Sequence, residues 1–286
     1  MARLAERHME NADGEWFIDR RCISCGASSS VAPNLVAPAS DGKFVIARQP
    51  SGQEEVRLAQ MAAELCPTRS IGTRSRLQWS PHHPLALTHG VWRCGGNAWA
   101  SAGGNSYLVQ RPDGNILVDA PRWSARLAHR LDELGGIATI LITHADDVAD
   151  AERYSECFDA PVWIHEGDHG AAPFAALTGT GNEPIELAPG ALVIPTPGHT
   201  RGHVMLLIDA TMLLTGDSLA WDPARADLWA EEAVCWHSWP EQLASLERLL
   251  DHRFEQIIPS HGAISPRMTA EHMHHRLAAL LDHLRV

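Results

Sequence analysis

The sequence predicts an α/β sandwich with a metal site along one edge of its sheets. Two observations carry this. From about Leu85 onward, short apolar runs of strand character recur and alternate with stretches of helical spacing, the pattern of sheets and helices layered around a core. Four of the apolar runs end in a potential metal ligand, at His144, His199, Asp217 and His261.

Composition bounds the rest. A chain of 286 residues suits one large domain, or a domain of roughly 200 residues with a small one attached. A hydrophobic fraction of 45% with 20% charged residues is ordinary for a soluble globular protein. The net charge of -12 and the absence of any Lys/Arg cluster exclude a nucleic-acid surface. No apolar run approaches the ~20 residues of a membrane-spanning helix, so a small-molecule substrate is expected and a membrane partner is not. The opening Met1 to His8 is charged and lacks the apolar centre of a secretory signal. The expected compartment is therefore the cytoplasm, where paired cysteines bind metal or do redox work more often than they crosslink.

Residues 1–75 differ in texture from the rest. Trp16 to Ile18 and Phe44 to Ile46 read as short strands flanking a Ser/Ala/Pro-rich loop from Gly26 to Gly42. Glu54 to Leu65 has helical periodicity, and Cys66-Pro67 stops it. Gly72 to Pro84, polar and aperiodic, reads as a linker. A second unit then spans 85–286. Within it, Ser106 to Gln110 and Asn115 to Val118 flank a Pro-Asp-Gly turn and form a hairpin. Trp123 to Leu134 is helical, Ala138 to Thr143 is a strand, Val148 to Phe158 a helix, and Pro161 to His165 the next strand. Leu192 to Pro195, Val204 to Ile208 and Met212 to Thr215 extend the sheet. Ser238-Trp239-Pro240-Glu241 opens a helix with a serine cap, an early proline and a glutamate three residues on, running to about His252. Gln256 to Pro259 is a strand, and a last amphipathic helix starts at Ser265-Pro266.

Histidine with carboxylate suits zinc, iron or manganese. Any one of the four strand-end ligands taken alone reads equally well as a strand cap; four placed alike point to a shared site. The motifs Ile142-Thr143-His144, Pro197-Gly198-His199-Thr200-Arg201-Gly202-His203, Thr215-Gly216-Asp217 and Pro259-Ser260-His261-Gly262, in this order over roughly residues 85–265, resemble those of the metallo-β-lactamase-fold hydrolases. The resemblance implies an αββα sandwich. It implies that His144 and His199 ligate one metal, that Asp217 bridges, and that His261 ligates a second. The first motif departs from the family's usual T-H-x-H-x-D-H. Asp146 stands in place of the second histidine, and Val148 and Ala149 replace the Asp-His pair. Asp147 and Asp150 are the nearby carboxylates that can substitute, and helix capping explains their positions equally well.

The wording Thr143-His144-Ala145-Asp146-Asp147-Val148-Ala149-Asp150 is similar to a subgroup that carries a small α+β ferredoxin-like domain in front, whose members have a histidine where Ala151 stands. One metal ion, zinc or iron, is therefore expected, with the second site depleted. Cys22, Cys25 and Cys66-Pro67 resemble the ligands of a single-cluster ferredoxin, but Ser28 occupies the third position of C-x2-C-x2-C. A cluster with an unusual fourth ligand, a three-iron cluster and a lost cluster all remain open. Cys94, Cys157 and Cys235 read as packed thiols.

The expected chemistry is hydrolysis of an ester, thioester, lactone or related small substrate by metal-activated water. His144, Asp146, His199 and Asp217 would hold the ion, and Asp147 or Asp150 would accept the proton. The alternatives are an iron-dependent oxygenase or reductase coupled to the ferredoxin-like domain, and a degenerate non-catalytic scaffold. His165, which ends a strand with Asp168 and His169 following, reads as a supporting or substrate group, and His203 as lying near His199 without ligating. His82 and His83 fall in the linker, and His272, His274 and His275 on a solvated helix face.

Overall fold

The computed structural model describes residues 1–285. Two sheets face one another. The first has seven strands, in the order Leu177–Gly179, Val162–His165, Thr139–Leu141, Ile116–Val118, Tyr107–Val109, Val91–Arg93 and Leu85–Thr88. Its first four strands run parallel and the rest antiparallel. The second has five, in the order Ile185–Ala188, Ala191–Pro195, Val204–Ile208, Met212–Gly216 and Gln256–Pro259.

Side chains alternate across each strand, so a strand buried on both faces needs apolar residues at every position. Tyr107, Val109, Ile116, Val118, Leu141 and Trp163 point inward and meet Val193, Val204, Leu206 and Leu214 of the second sheet. The alternate residues Leu108, Leu117, Ile140 and Ile164 point outward and are covered by helices α2 (Ala125–Glu133) and α3 (Ala151–Phe158), joined by Tyr154 and Leu131. Met205, Leu207, Leu213 and Ile257 leave the other side of the second sheet and pack beneath α4 (Trp239–Arg248) and α5 (Ala270–Leu284). The result is the αββα layering.

The N-terminal unit has its own core. Trp16–Ile18 pairs with Ile71–Thr73, Val36–Pro38 pairs with Phe44–Ile46, and α1 (Gly52–Leu65) covers them through Ala59 and Ala62. Ile71–Thr73 corrects the linker reading: Gly72 is central in a strand, where a Cβ would sit 2.7 Å from Cβ of Ala2. The aperiodic sequence hid it because an edge strand of three residues carries too few side chains for a pattern.

Two helix starts also differ from expectation. Ala149 has φ +38, which breaks any helix begun at Val148, and α3 starts at Ala151. The last helix is capped by Thr269, whose hydroxyl accepts from His272 N, while Ser265 Oγ instead accepts from Ile257 N at 3.0 Å. Cys94 is fully buried as expected of a packed thiol, whereas Cys157 is exposed. Among the described residues no helix is long and apolar enough to cross a membrane.

Candidate metal centre

Four strand-end loops converge on one edge of the sandwich. Backbone and side-chain bonds join the two sheets there: Val204 N donates to Thr143 O at 2.8 Å, Tyr107 Oη to Pro259 O at 2.7 Å, and Asn105 Nδ2 to Ser260 O at 2.9 Å. Docking of the sheets thus fixes the distance between ligands that are far apart in sequence.

His144 Nε2 lies 3.4 Å from Asp217 Oδ2, and His199 Nε2 lies 3.8 Å from the same oxygen. The ligand atoms of His144, His199 and Asp217 all fall within 4.8 Å of one another. His144 Nε2, His199 Nε2 and Asp217 Oδ1 are buried without a hydrogen bond, which is costly for polar atoms unless something else binds them. Two imidazole nitrogens and a carboxylate converging in this way fit a transition-metal ion. Asp146 Oδ2 stands 3.5 Å from His199 Nε2 on the open side, and His261 Nε2 3.8 Å from Asp217 Oδ2 on another. The structure therefore brings His144, Asp146, His199, Asp217 and His261 together.

The surroundings orient these groups. Asp119 is buried and accepts from Thr143 N at 2.8 Å and Thr143 Oγ1 at 2.9 Å. Having donated its proton, Thr143 Oγ1 accepts from His144 Nδ1 at 2.8 Å, which leaves Nε2 to face the centre. His203 does not ligate. Its Nδ1 donates to Thr196 Oγ1 at 2.8 Å and its Nε2 accepts from Asp217 N at 3.3 Å, so it seats Asp217. Burial and the neighbouring His144 and His199 hold the His203 pKa well below its ordinary value, which keeps it neutral. Asp168 accepts from Ala145 N and Gly202 N, both at 2.9 Å, and from the Thr200 hydroxyl, clamping the two histidine loops together. The turn carrying His199 is held from the other side, where Trp236 N donates to His199 O at 2.9 Å and Ser238 N to Gly198 O at 2.9 Å.

The His144 pKa is lowered by burial but raised more strongly by Asp147 and Asp217, to about 10. Asp217 is held below the usual carboxylate range: burial pushes it up, and His261, His144 and His199 outweigh that. Asp146 is also lowered, chiefly by its contact with His199.

Neither Asp147 nor Asp150 lines the cleft, which corrects their expected placement. Residues Ala145–Asp147 form a 3-10 turn, whose tight winding sends Asp146 outward and Asp147 inward. Asp147 is buried against the backbone of Gly104, and burial pushes its pKa well up. Asp150 accepts from Trp123 N at 2.5 Å, tying the start of α2 to α3. Asp119 escaped the sequence reading, although it follows the apolar run Asn115 to Val118 in the manner of the other strand-end ligands.

Above the centre lies a cleft of about 760 Å³. Asp146, His199, Asp217 and His261 supply its polar side, and Ala220, Trp229, Val234 and Trp236 much of its apolar side. Among the described residues no Lys or Arg lines it. Ile23, Ser24 and Cys25 of the N-terminal unit form part of the wall. Cys25 also lines a small cavity with Cys22, Ser28 and Cys66, so the three expected thiols share one place. Cys66 Sγ accepts from Ser70 N at 3.2 Å and Cys22 Sγ from Ser24 N at 3.4 Å, the bonding that tunes cluster sulfurs. The Ser28 hydroxyl donates to Ala62 O at 3.0 Å and is committed to α1.

Comparison with known proteins finds similarity in both units. A family model described as the metallo-beta-lactamase superfamily matches residues 92–252, and one described as the 4Fe-4S single cluster domain of Ferredoxin I matches residues 18–73. A beta-lactamase-like protein 2 homolog of Drosophila melanogaster is 29% identical over 205 residues, covering 62% of this chain and 66% of that protein. The YmaE protein of Bacillus subtilis is 27% identical over 107 residues, covering 36% of this chain and 39% of that protein. The chain thus spans less than two thirds of the length of either curated relative. A metallo-β-lactamase of Cronobacter sakazakii with a HARLDQ motif superposes with a TM-score of 0.51 at 16% identity, over 72% of this chain and 95% of that one. At that identity the likeness is one of fold.

Proposed function

The chain belongs to the metallo-β-lactamase superfamily, and we propose that it is a metal-dependent hydrolase acting on an uncharged ester, thioester or lactone with an apolar acyl portion. One observation carries the reading: the unpartnered His144, His199 and Asp217 donors stand beside a cleft whose far wall is apolar and whose described lining has no Lys or Arg. A divalent ion held by them, with Asp146 completing the set, would acidify a water and polarise the scissile carbonyl. Asp119, through Thr143, keeps His144 in the tautomer that presents Nε2. His261, about one-third exposed, is the group left to pass a proton to the departing oxygen or sulfur from Nε2. Trp229, Val234 and Trp236 exclude water around the acyl chain. A phosphate or carboxylate next to the scissile bond would find no Lys or Arg along the described lining of the cleft to bind it.

The test is the protein loaded in turn with zinc, iron and manganese, presented with esters, thioesters and lactones of increasing acyl length, and with phosphoesters as contrast. Turnover that rises with acyl length, is lost in His199→Ala together with the metal, and is absent on phosphoesters is expected. Inactivity towards every acyl substrate with all three metals overturns the reading.

A second reading rests on Cys25, which borders both the thiol cavity and the cleft. A cluster held by Cys22, Cys25 and Cys66 would sit beside the metal centre, and the chemistry would then be redox, with iron in the metal site. Absence of iron and sulfide in protein prepared without oxygen and without chelators rules this out.

A further inference from the structure

A second cavity, of about 430 Å³, opens between the N-terminal unit and α2 and shares no lining residue with the cleft over the metal centre. In a chain of net charge -12 its wall is cationic: Arg69, Arg122, Arg126 and Arg130 line it, against Glu64 as the one acidic residue. Glu64 is spent elsewhere. Its oxygens accept from Trp79 Nε1 at 3.0 Å, from the backbone N–H groups of His82 and His83 at 3.1 Å, and from His83 Nδ1 at 2.7 Å. Arg130 pairs with Glu133 at 3.1 Å, whereas Arg69, Arg122 and Arg126 have no carboxylate partner among the described residues. Arg122 is held in place by donating to Pro67 O at 3.1 Å and Asn97 O at 3.2 Å. Burial and then the charge of Arg69 lower its pKa, as two cations brought close together do.

Two further observations point to a ligand. The His83 ring lines the cavity, is 5% exposed, and has no partner for Nε2. With Nδ1 donating to Glu64, Nε2 is left as an acceptor that a protonated phosphate oxygen or a hydroxyl can satisfy. Ser124, the N-cap of α2, and Arg126 in its first turn also face the cavity, so the positive end of that helix adds to the arginines. Trp79 supplies an aromatic wall. Cavities of this size hold small organic molecules, and arginine forks match the geometry of phosphate and carboxylate.

We propose that this inter-unit cavity is a binding site for a small anion, a phosphate monoester or a carboxylate, attached to a flat apolar group that lies against Trp79. The site is separate from the hydrolytic cleft and stands whether or not the proposed substrate class is right. A ligand bound there touches both units at once and tightens their contact. Because Arg122 also holds the carbonyl of Pro67, next to Cys66, occupancy reaches the cysteine cavity through one residue.

The experiment titrates the full-length protein with phenyl phosphate, inorganic phosphate and benzoate at constant ionic strength and follows thermal unfolding, since a ligand that binds only the folded state raises Tm in a saturable way. Phenyl phosphate is expected to give a larger saturable rise than inorganic phosphate, and benzoate reports whether the carboxylate or the phosphate is preferred. The double variant Arg69→Ala/Arg126→Ala removes two side chains with no ion-pair partner, so its Tm without ligand stays close to that of the parent while its apparent Kd rises at least tenfold. His199→Ala should keep the full response, which separates this site from anion binding at the metal donors. The proposal is overturned if none of the three compounds gives a saturable shift, if the arginine variant responds like the parent, or if His199→Ala abolishes the response.

Discussion

The hydroxyl of Thr143 stands 2.8 Å from Nδ1 of His144 while the same oxygen donates to Asp119 at 2.9 Å. Two roles meet in one atom, and together they determine which nitrogen of His144 faces Asp217. Thr143→Val keeps the shape and removes both bonds. It should lower metal affinity by about 10–100-fold, as loss of such supporting partners does, measured by competition against a chromophoric chelator. An unchanged affinity would mean that packing alone orients the ring.

Metal loading should release a proton. In the metal-free protein, Asp147 and Asp217 outweigh the effect of burial and raise His144 to about 10, so Nε2 is protonated at neutral pH and a metal must displace that proton. Affinity should then rise roughly tenfold per pH unit through the neutral range. Calorimetric titration in two buffers of different ionisation enthalpy counts the protons directly, and a buffer-independent enthalpy contradicts the assignment.

Gly198 has φ +148, and a Cβ there would sit 2.3 Å from the Cα of Gln242 in α4. Gly198→Ala should cost about 2–4 kcal/mol, from backbone strain and overpacking together, and should weaken metal binding because His199 is the next residue. Gly170→Ala, with nothing within 4 Å of the new methyl and no positive φ, is the neutral control. Denaturant midpoints of the two variants decide the matter.

Ser28 lines the same cavity as Cys22, Cys25 and Cys66. Ser28→Cys replaces a hydroxyl bound to Ala62 O by a thiol and completes C-x2-C-x2-C. Iron and acid-labile sulfide per chain should rise in the variant prepared anaerobically, with visible absorption to match. Equal iron in variant and parent would show that the cavity does not assemble a cluster from cysteines at these positions.

Asp19 is buried under Arg21, whose Nη2 lies 2.7 Å from Oδ2. Burial pushes its carboxyl up, but the bonds from Arg21 and from the Arg3 backbone outweigh it and the pKa falls below its ordinary value. A lowered folded pKa adds stability above the ordinary carboxyl value of about 4 and loses it as pH falls further. Asp19→Asn should therefore unfold at lower urea than the parent at pH 7, and the gap should narrow by pH 3. A gap that persists at pH 3 would assign the loss to geometry rather than charge.

The strand-end residues His144, His199, Asp217 and His261 were legible because each follows a run whose apolar character is local and periodic. Apolar runs interrupted by Gly and Pro turns also determine the layers: side chains at successive positions must face opposite sides, and Leu108 with Val109 or Ile140 with Leu141 satisfies both faces. Asp119 and Asp168 act through partners more than twenty residues away in sequence, so no local pattern marked their roles, whereas His203 was placed by the turn it shares with His199. Asp147 and Asp150 were misplaced because one positive φ at Ala149 splits what reads as a single helix. The arginine cavity was hidden for a similar reason. Arg69 belongs to a different segment from Arg122 and Arg126, and His83 sits in a stretch that reads as linker.

By itself, then, the sequence determined the layered α/β architecture, the order of the metal-binding loops and the presence of a cysteine-bearing unit in front, because each depends on short-range periodicity and motif spacing. The tertiary structure alone decided which carboxylates face the metal centre, that Cys25 stands in the wall of the cleft, and that Arg69 of the N-terminal unit lines one cavity with Arg122 and Arg126 at the start of α2. Those outcomes depend on how the sheets dock and how the N-terminal unit packs against them, which brings together side chains that no local interval in the chain connects.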